Sequence, residues 1–166
     1  MILKTDRLLL RQLNEDHRAD MIEFYGDPDV MAIRKYGVRH PQGAGQAIDI
    51  ALRHWGEHGF GLFAVHLGIS DDFMGECGLR YLDDGTAVEL SYGLLTRFQG
   101  RGLATEAATA CLKFGKNTLN LPTVVAFSRA DNIASHGVLR KIGMEFIGCD
   151  DRGTHTVVRY ETRPSM

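Results

Sequence analysis

Six residues two-thirds of the way along this 166-residue chain, Gln99-Gly100-Arg101-Gly102-Leu103-Ala104, have the types and spacing to bind an anion. Gly100 and Gly102 can take positive φ and let main chain approach a ligand closely. A helix starting after them would aim its unpaired N–H groups at the same point. Arg97 and Arg101 add positive charge, and no acid falls between Leu90 and Thr105. That chemistry suits a ligand carrying phosphates. A nucleotide-triphosphate loop needs Gly-x4-Gly-Lys-Ser/Thr, which occurs nowhere in the chain. A dinucleotide fingerprint needs a third glycine where Thr105 stands, and it belongs at a first βα turn. The pattern Gln/Arg-x-x-Gly-x-Gly/Ala is filled at every position; the alternative is a glycine-rich connection with no ligand.

Other reactive groups show no comparable grouping. Cys77, Cys111 and Cys149 are odd in number and widely spaced, with no Cys-x-x-Cys pair and no signal-peptide pattern upstream, as expected of core-filling thiols in a cytoplasmic protein. The seven histidines include a helically spaced pair, His54 and His58, but no third ligand is evident, so no metal is expected. Hydrophobic residues make up 44% and charged residues 24%, with net charge −2. This balance argues against general nucleic-acid binding, which needs a broad basic face. No apolar run approaches a membrane span, so no membrane association is expected.

The surrounding pattern reads as one α+β domain over residues 1–166. Residues 7–13 are strand-like, and Asn14 followed by Glu15 and Asp16 is a helix-cap signal for a helix over 15–25. An irregular stretch follows through Tyr36 and Pro41, then a helix over 46–58 with Ile48, Ala51, Leu52 and Trp55 in period. Residues 60–67, 73–82 and 87–95 form three strands of an antiparallel meander, with Asp83-Asp84-Gly85 as the clearest hairpin turn. The helix after the glycine loop carries small residues (Ala104, Ala107, Ala108, Cys111, Gly115) toward the sheet. Its connection to a strand at 122–129 is long enough for a parallel crossover. A helix over 132–142, stopped by Gly143, and strands at 144–149 and 154–161 complete the chain. Alternation on the 87–95 strand places Glu89, Ser91 and Gly93 on one face and Leu90, Tyr92 and Leu94 on the other.

The Gln99–Ala104 segment resembles the acetyl-CoA pyrophosphate loop of the GNAT N-acetyltransferases, and the order of elements is similar to that fold over nearly the whole chain. Thr5-Asp6-Arg7-Leu8-Leu9-Leu10-Arg11 resembles the opening of the Rim-like branch, which includes ribosomal-protein N-terminal acetyltransferases. Asn132-Ile-Ala-Ser135 running to Lys141-Ile-Gly143-Met144 resembles a second family segment, with Met144 in place of the usual Phe. The resemblance implies a mixed, mostly antiparallel sheet of about seven strands with a central splay, flanked by about four helices. It implies an acetyl-CoA-dependent acetyltransferase in which the acceptor amine, on a small molecule or a protein N-terminus, attacks the thioester within one ternary complex; a homodimer is plausible by the same resemblance. A CoA-binding regulatory or scaffolding module is the alternative.

Residue by residue, the resemblance assigns Gln99, Gly100, Arg101, Gly102, Leu103 and Ala104 to the pyrophosphate, with Arg97 alongside. Tyr92, Gly93 and Leu94 would contact the pantetheine arm and thioester, a main-chain N–H there polarising the carbonyl. Asn132 would contact pantetheine, cap its helix, or both. Many relatives place an acidic tyrosine at the position of Leu139, so Ser135 or a water is left to protonate the departing thiolate. Glu89 is the leading base, with Glu76 and His136 behind it. The acids from Glu15 to Asp29 either border the acceptor cleft or lie on a solvated face.

Overall fold

The computed structural model of the protein describes residues 1–34 and 36–164. A short first strand, β1 (Ile2–Lys4), precedes β2 (Leu8–Gln12). Asn14 caps a 3-10 turn, its side chain accepting from Asp16 N, and α1 (Arg18–Gly26) follows. The one-turn α2 (Pro28–Met31) is capped by Asp27, whose carboxylate accepts from Asp29 N at 2.9 Å. The long α3 (Pro41–His58) starts with proline at its first position and ends at Gly59, φ 72°, as proline-first, glycine-last helices do. Then come β3 (Leu62–Leu67), β4 (Phe73–Tyr81) and β5 (Val88–Leu94). After the glycine loop the chain forms α4 (Leu103–Asn117), β6 (Val125–Arg129), α5 (Ile133–Lys141), β7 (Glu145–Asp151) and β8 (Thr156–Glu161).

The strands form one sheet in the order β1-β2-β3-β4-β5-β6-β8-β7, antiparallel except between β5 and β6. Eight strands and five helices therefore replace the expected seven and four; the additions are β1, too short to show alternation, and the four-residue α2. The expected meander is β3-β4-β5, and Gly85 in its second turn has φ 69°. The β5-α4-β6 crossover is the expected parallel link.

The splay is measurable in the register. Along its other edge β5 pairs with β4 from Val88 to Leu94, yet it pairs with β6 only at Glu89↔Val125. Beyond that point the edge of β5 has no neighbouring strand, and the sheet opens into a V. Helices α1 and α3 pack together on one face; α4 and α5 cover the other. Small residues let α4 lie close: Ala107, Ala108 and Cys111 are fully buried, and a Cβ on Gly115 would sit 2.8 Å from Leu79 Cδ1. Cys77 and Leu79 of β4 meet α4, as in the 3.5 Å contact of Cys77 Sγ with Cys111 Sγ. Glu76 faces α1. No helix among the described residues is long and apolar enough to cross a membrane.

Candidate active site

The two arms of the V enclose a cavity of about 1010 Å³, lined at one end by the glycine loop and at the other by α1, α3 and the segment between α2 and α3. At the loop end, Gly100 and Gly102 have φ 74° and 75°, the left-handed region open to glycine at little cost. Gly102 is the N-cap of α4. The main-chain N–H groups of residues 100–105 donate to no other described main-chain carbonyl, so they form the orphan donors of a helix start, and all of these residues but Arg101 line the cavity. Gln99 Nε2 donates to Leu94 O at 2.9 Å and ties the loop to the end of β5. Arg97 lies outside this lining, its guanidinium 4.7 Å from the Phe98 ring centre, and the exposed side chain of Arg101 lies outside it too.

Glu106 sits in the first turn of α4, where its charge would oppose an anion in the loop. The chain neutralises it from 99 residues away. Arg7 Nε meets Glu106 Oε2 at 2.7 Å, Arg7 N and Thr5 Oγ1 donate to Glu106 Oε1, and Arg7 Nη1 donates to Arg101 O. Although partial burial opposes ionisation, the Thr5 and Arg7 hydrogen bonds hold this carboxyl below its ordinary range. The Thr5-x-Arg7 opening is thus a clamp on the loop, a role that no local signal in residues 5–7 announces.

Along β5 the expected alternation places two sets of groups on opposite sides of the V. On the α5 side, the Tyr92 hydroxyl lies 2.8 Å from Ser135 Oγ and donates to Ser135 O at 3.2 Å. Burial pushes the Tyr92 phenol up to about 12, against the opposing effect of the Ser135 hydrogen bond, so it remains protonated at neutral pH. Asn132 Oδ1 accepts from Ser135 N at 3.2 Å, which is the helix-cap geometry, while both residues line the cavity. Leu139 is in the core, 1% exposed.

On the α1 side, Glu89 is 5% exposed, lines the cavity and is bound by Arg80 Nη2 at 3.1 Å. Arg80 and Glu89 are register partners across the β4–β5 hairpin, so counting back from the Asp83-Asp84-Gly85 turn would have found the pair. Glu76, 2% exposed, accepts from Tyr25 Oη at 2.5 Å and from Arg34 Nη2 at 2.9 Å. Arg34 Nη2 also reaches Ser91 Oγ at 3.3 Å, and a Cβ on Gly93 would sit 2.9 Å from Arg34 Nη1. Arg34 and Tyr25 come from elements between which the sequence offers no periodic link, and neither was among the expected site residues.

Several candidates lie elsewhere. Both ring nitrogens of His136 are bonded, Nδ1 to Tyr160 Oη and Nε2 to the Arg129 and Ala130 carbonyls, outside the lining. His54 and His58 do line the cavity, at its acceptor end, but His54 is engaged, donating from Nδ1 to Phe60 O and accepting at Nε2 from Tyr81 N to join α3 to β4. Among the described residues no group of three or more His, Cys, Asp and Glu could hold a metal ion. Of the acids from Glu15 to Asp29, only Asp29 lines the cavity; Glu15 is taken up by Arg18 and Asp27 by its helix cap.

An open sheet that splays between two parallel strands, with a glycine loop feeding a helix at the splay, gives an α+β fold with an anion-binding cleft at its centre. The model of the acetyltransferase (GNAT) domain family matches residues 7–145, and the chain belongs to that family. It is 28% identical over 164 residues to YkkB of Bacillus subtilis (strain 168), an alignment covering 97% of this chain and 95% of the relative. An acetyltransferase structure from Agrobacterium tumefaciens str. C58 superposes with TM-score 0.84 at 28% identity, over 96% of this chain and 94% of that one. RimL, a ribosomal L7/L12 α-N-protein acetyltransferase solved in complex with coenzyme A, superposes with TM-score 0.81 at 17% identity, over 99% and 98% of the two chains.

Proposed function

We propose that this protein is an acetyl-CoA-dependent N-acetyltransferase that acetylates a primary amine in a single ternary complex. The observation that carries the reading is the placement of three kinds of group around one V-shaped cavity: orphan main-chain donors at the α4 start, a buried carboxylate on one side of β5 and a hydroxyl pair on the other. The glycine loop fits a diphosphate because its donors are main-chain N–H groups with no Cβ over Gly100 or Gly102. The unpaired edge of β5 from Tyr92 to Leu94 fits an extended amide arm, which would add to it as a strand does. Acetyl-CoA supplies the activated acyl group. RimL is a neighbour of the same fold solved with coenzyme A.

In this reading the amine reaches the site protonated and gives a proton to Glu89, directly or through water. Its nitrogen lone pair then forms the C–N bond while the C–S bond breaks, and the second proton lost from nitrogen passes through water to the departing thiolate, directly or by replacing one that Ser135 gives. A main-chain N–H of Tyr92, Gly93 or Leu94 stabilises the charge gathering on the carbonyl oxygen. Ser135 Oγ, held by the Tyr92 hydroxyl, gives a hydrogen bond or a proton to the leaving sulfur. A thiol of reference pKa ~8.5 needs little help to leave, so the absence of a tyrosine at Leu139 is tolerable. The odd, unpaired cysteines support work in a reducing compartment. Calorimetry with coenzyme A, followed by thiol release from acetyl-CoA across a panel of amines, tests the proposal. Binding without turnover on every acceptor would favour a CoA-binding module instead, and failure to bind would end the reading.

A further inference from the structure

Among the buried and half-buried groups of the acceptor half, one guanidinium has no carboxylate partner. Arg34, Arg39 and Arg80 line this half together with Glu76 and Glu89. Glu76 is taken by Arg34 and Tyr25, and Glu89 by Arg80. Arg39 has no acid within ion-pair distance among the described residues. Instead its guanidinium carbon lies 5.2 Å from the ring centre of Tyr25 and 4.9 Å from that of Tyr36, and its main-chain N–H donates to Tyr25 O at 2.8 Å. Ring contacts use the flat faces of a guanidinium and leave its in-plane donors unspent. A half-buried, oriented and uncompensated arginine in a ligand cavity is a receptor for an anion.

We propose that the acceptor is an amine that also carries a carboxylate, of the amino-acid type, and that Arg39 binds that carboxylate. This rests on the acetyltransferase reading above and narrows it. One guanidinium with no acid partner matches one carboxylate, and its planar two-donor edge fits the two oxygens. Val30, Ala47 and Ile50 in the same lining give the rest of such a molecule an apolar wall. A polyamine or aminoglycoside, by contrast, would meet no uncommitted buried acid: the other acids of this half, Asp29 and Asp83, are exposed at the rim, where water and salt screen them.

The test uses the full chain. Coenzyme A binding is measured first by calorimetry, and its absence would overturn the parent reading together with this one. The CoA-loaded protein is then titrated with N-acetyl-L-leucine and N-acetyl-L-phenylalanine and with their amides. Turnover of L-leucine and L-phenylalanine is compared with that of their amides, of phenethylamine and of spermidine. We expect the acids to bind, and the amino acids to react with lower KM, by about tenfold or more over the amides. Arg39→Gln should erase that preference, Arg39→Lys should keep part of it, and neither should change affinity for coenzyme A. Overturning results, with CoA binding intact, are binding or turnover that favours amides or spermidine, no binding by any acid, a preference that survives Arg39→Gln, or loss of CoA affinity in that variant.

Discussion

Glu89 and the Tyr92–Ser135 pair occupy opposite sides of one strand, and in the proposed mechanism this main-chain geometry separates proton acceptance from proton donation. General-base catalysis contributes about 10²–10⁴-fold. Glu89→Gln is therefore expected to lower kcat by about two orders of magnitude and leave the Kd for coenzyme A unchanged; undiminished turnover across the pH range would remove Glu89 as the base. The donor side should matter less. Ser135→Ala is expected to reduce kcat about tenfold and Tyr92→Phe by less, because a thiolate leaves readily and the phenol acts through Ser135. If the two groups act as one unit, the double variant should be no slower than Ser135→Ala alone, and multiplicative losses in steady-state rates would show that they act separately.

At the scale of elements, the loop and the start of α4 are held by the β1–β2 connection, about a hundred residues earlier in the chain. Gly102→Asp places a side chain at φ 75° and a negative charge among the orphan N–H groups, so affinity for coenzyme A should fall by well over tenfold while the fold persists. Unchanged affinity in calorimetry would refute the loop assignment. Arg7→Gln removes the counter-charge of Glu106 and the bond to Arg101 O, and is expected to weaken CoA binding as well. Adding Glu106→Gln should recover part of that loss, since the acid left uncompensated is then gone; a double variant as weak as the single one would mean that the clamp works by position alone.

Across the whole molecule, histidine burial makes stability depend on pH. His17 and His66 are 8% and 7% exposed with ring centres 5.5 Å apart, and desolvation lowers the pKa of each below 6.5. The folded state thus binds fewer protons than the unfolded state once pH drops toward 6.5. Stability should decline from there as pH falls through the histidine range. Asp71 and Glu106, whose carboxyls are lowered by their arginine partners, add a separate loss only below about pH 4.5, near the unfolded carboxylate range. Urea unfolding between pH 7.5 and 5 should show the first decline, and His66→Phe should flatten it; an unchanged slope in that variant would exclude His66.

What could be determined from sequence was whatever depends on neighbours along the chain. The Gln99–Ala104 spacing, the alternation of β5, the small face of α4 and the Asp83-Asp84-Gly85 turn are short-range patterns, and the structure reproduces each. Tertiary structure alone decided which distant charges meet: Arg7 with Glu106, Arg34 with Glu76, and Arg39 with no acid. The reason is physical. Periodicity reports which face of an element is buried, but an ion pair between segments tens of residues apart is set by how the helices lie across the sheet, and many packings share the same periodicity. The family, and the loop proposed for its cofactor, are therefore legible in one dimension, whereas the character of the acceptor half emerges only once the chain is folded.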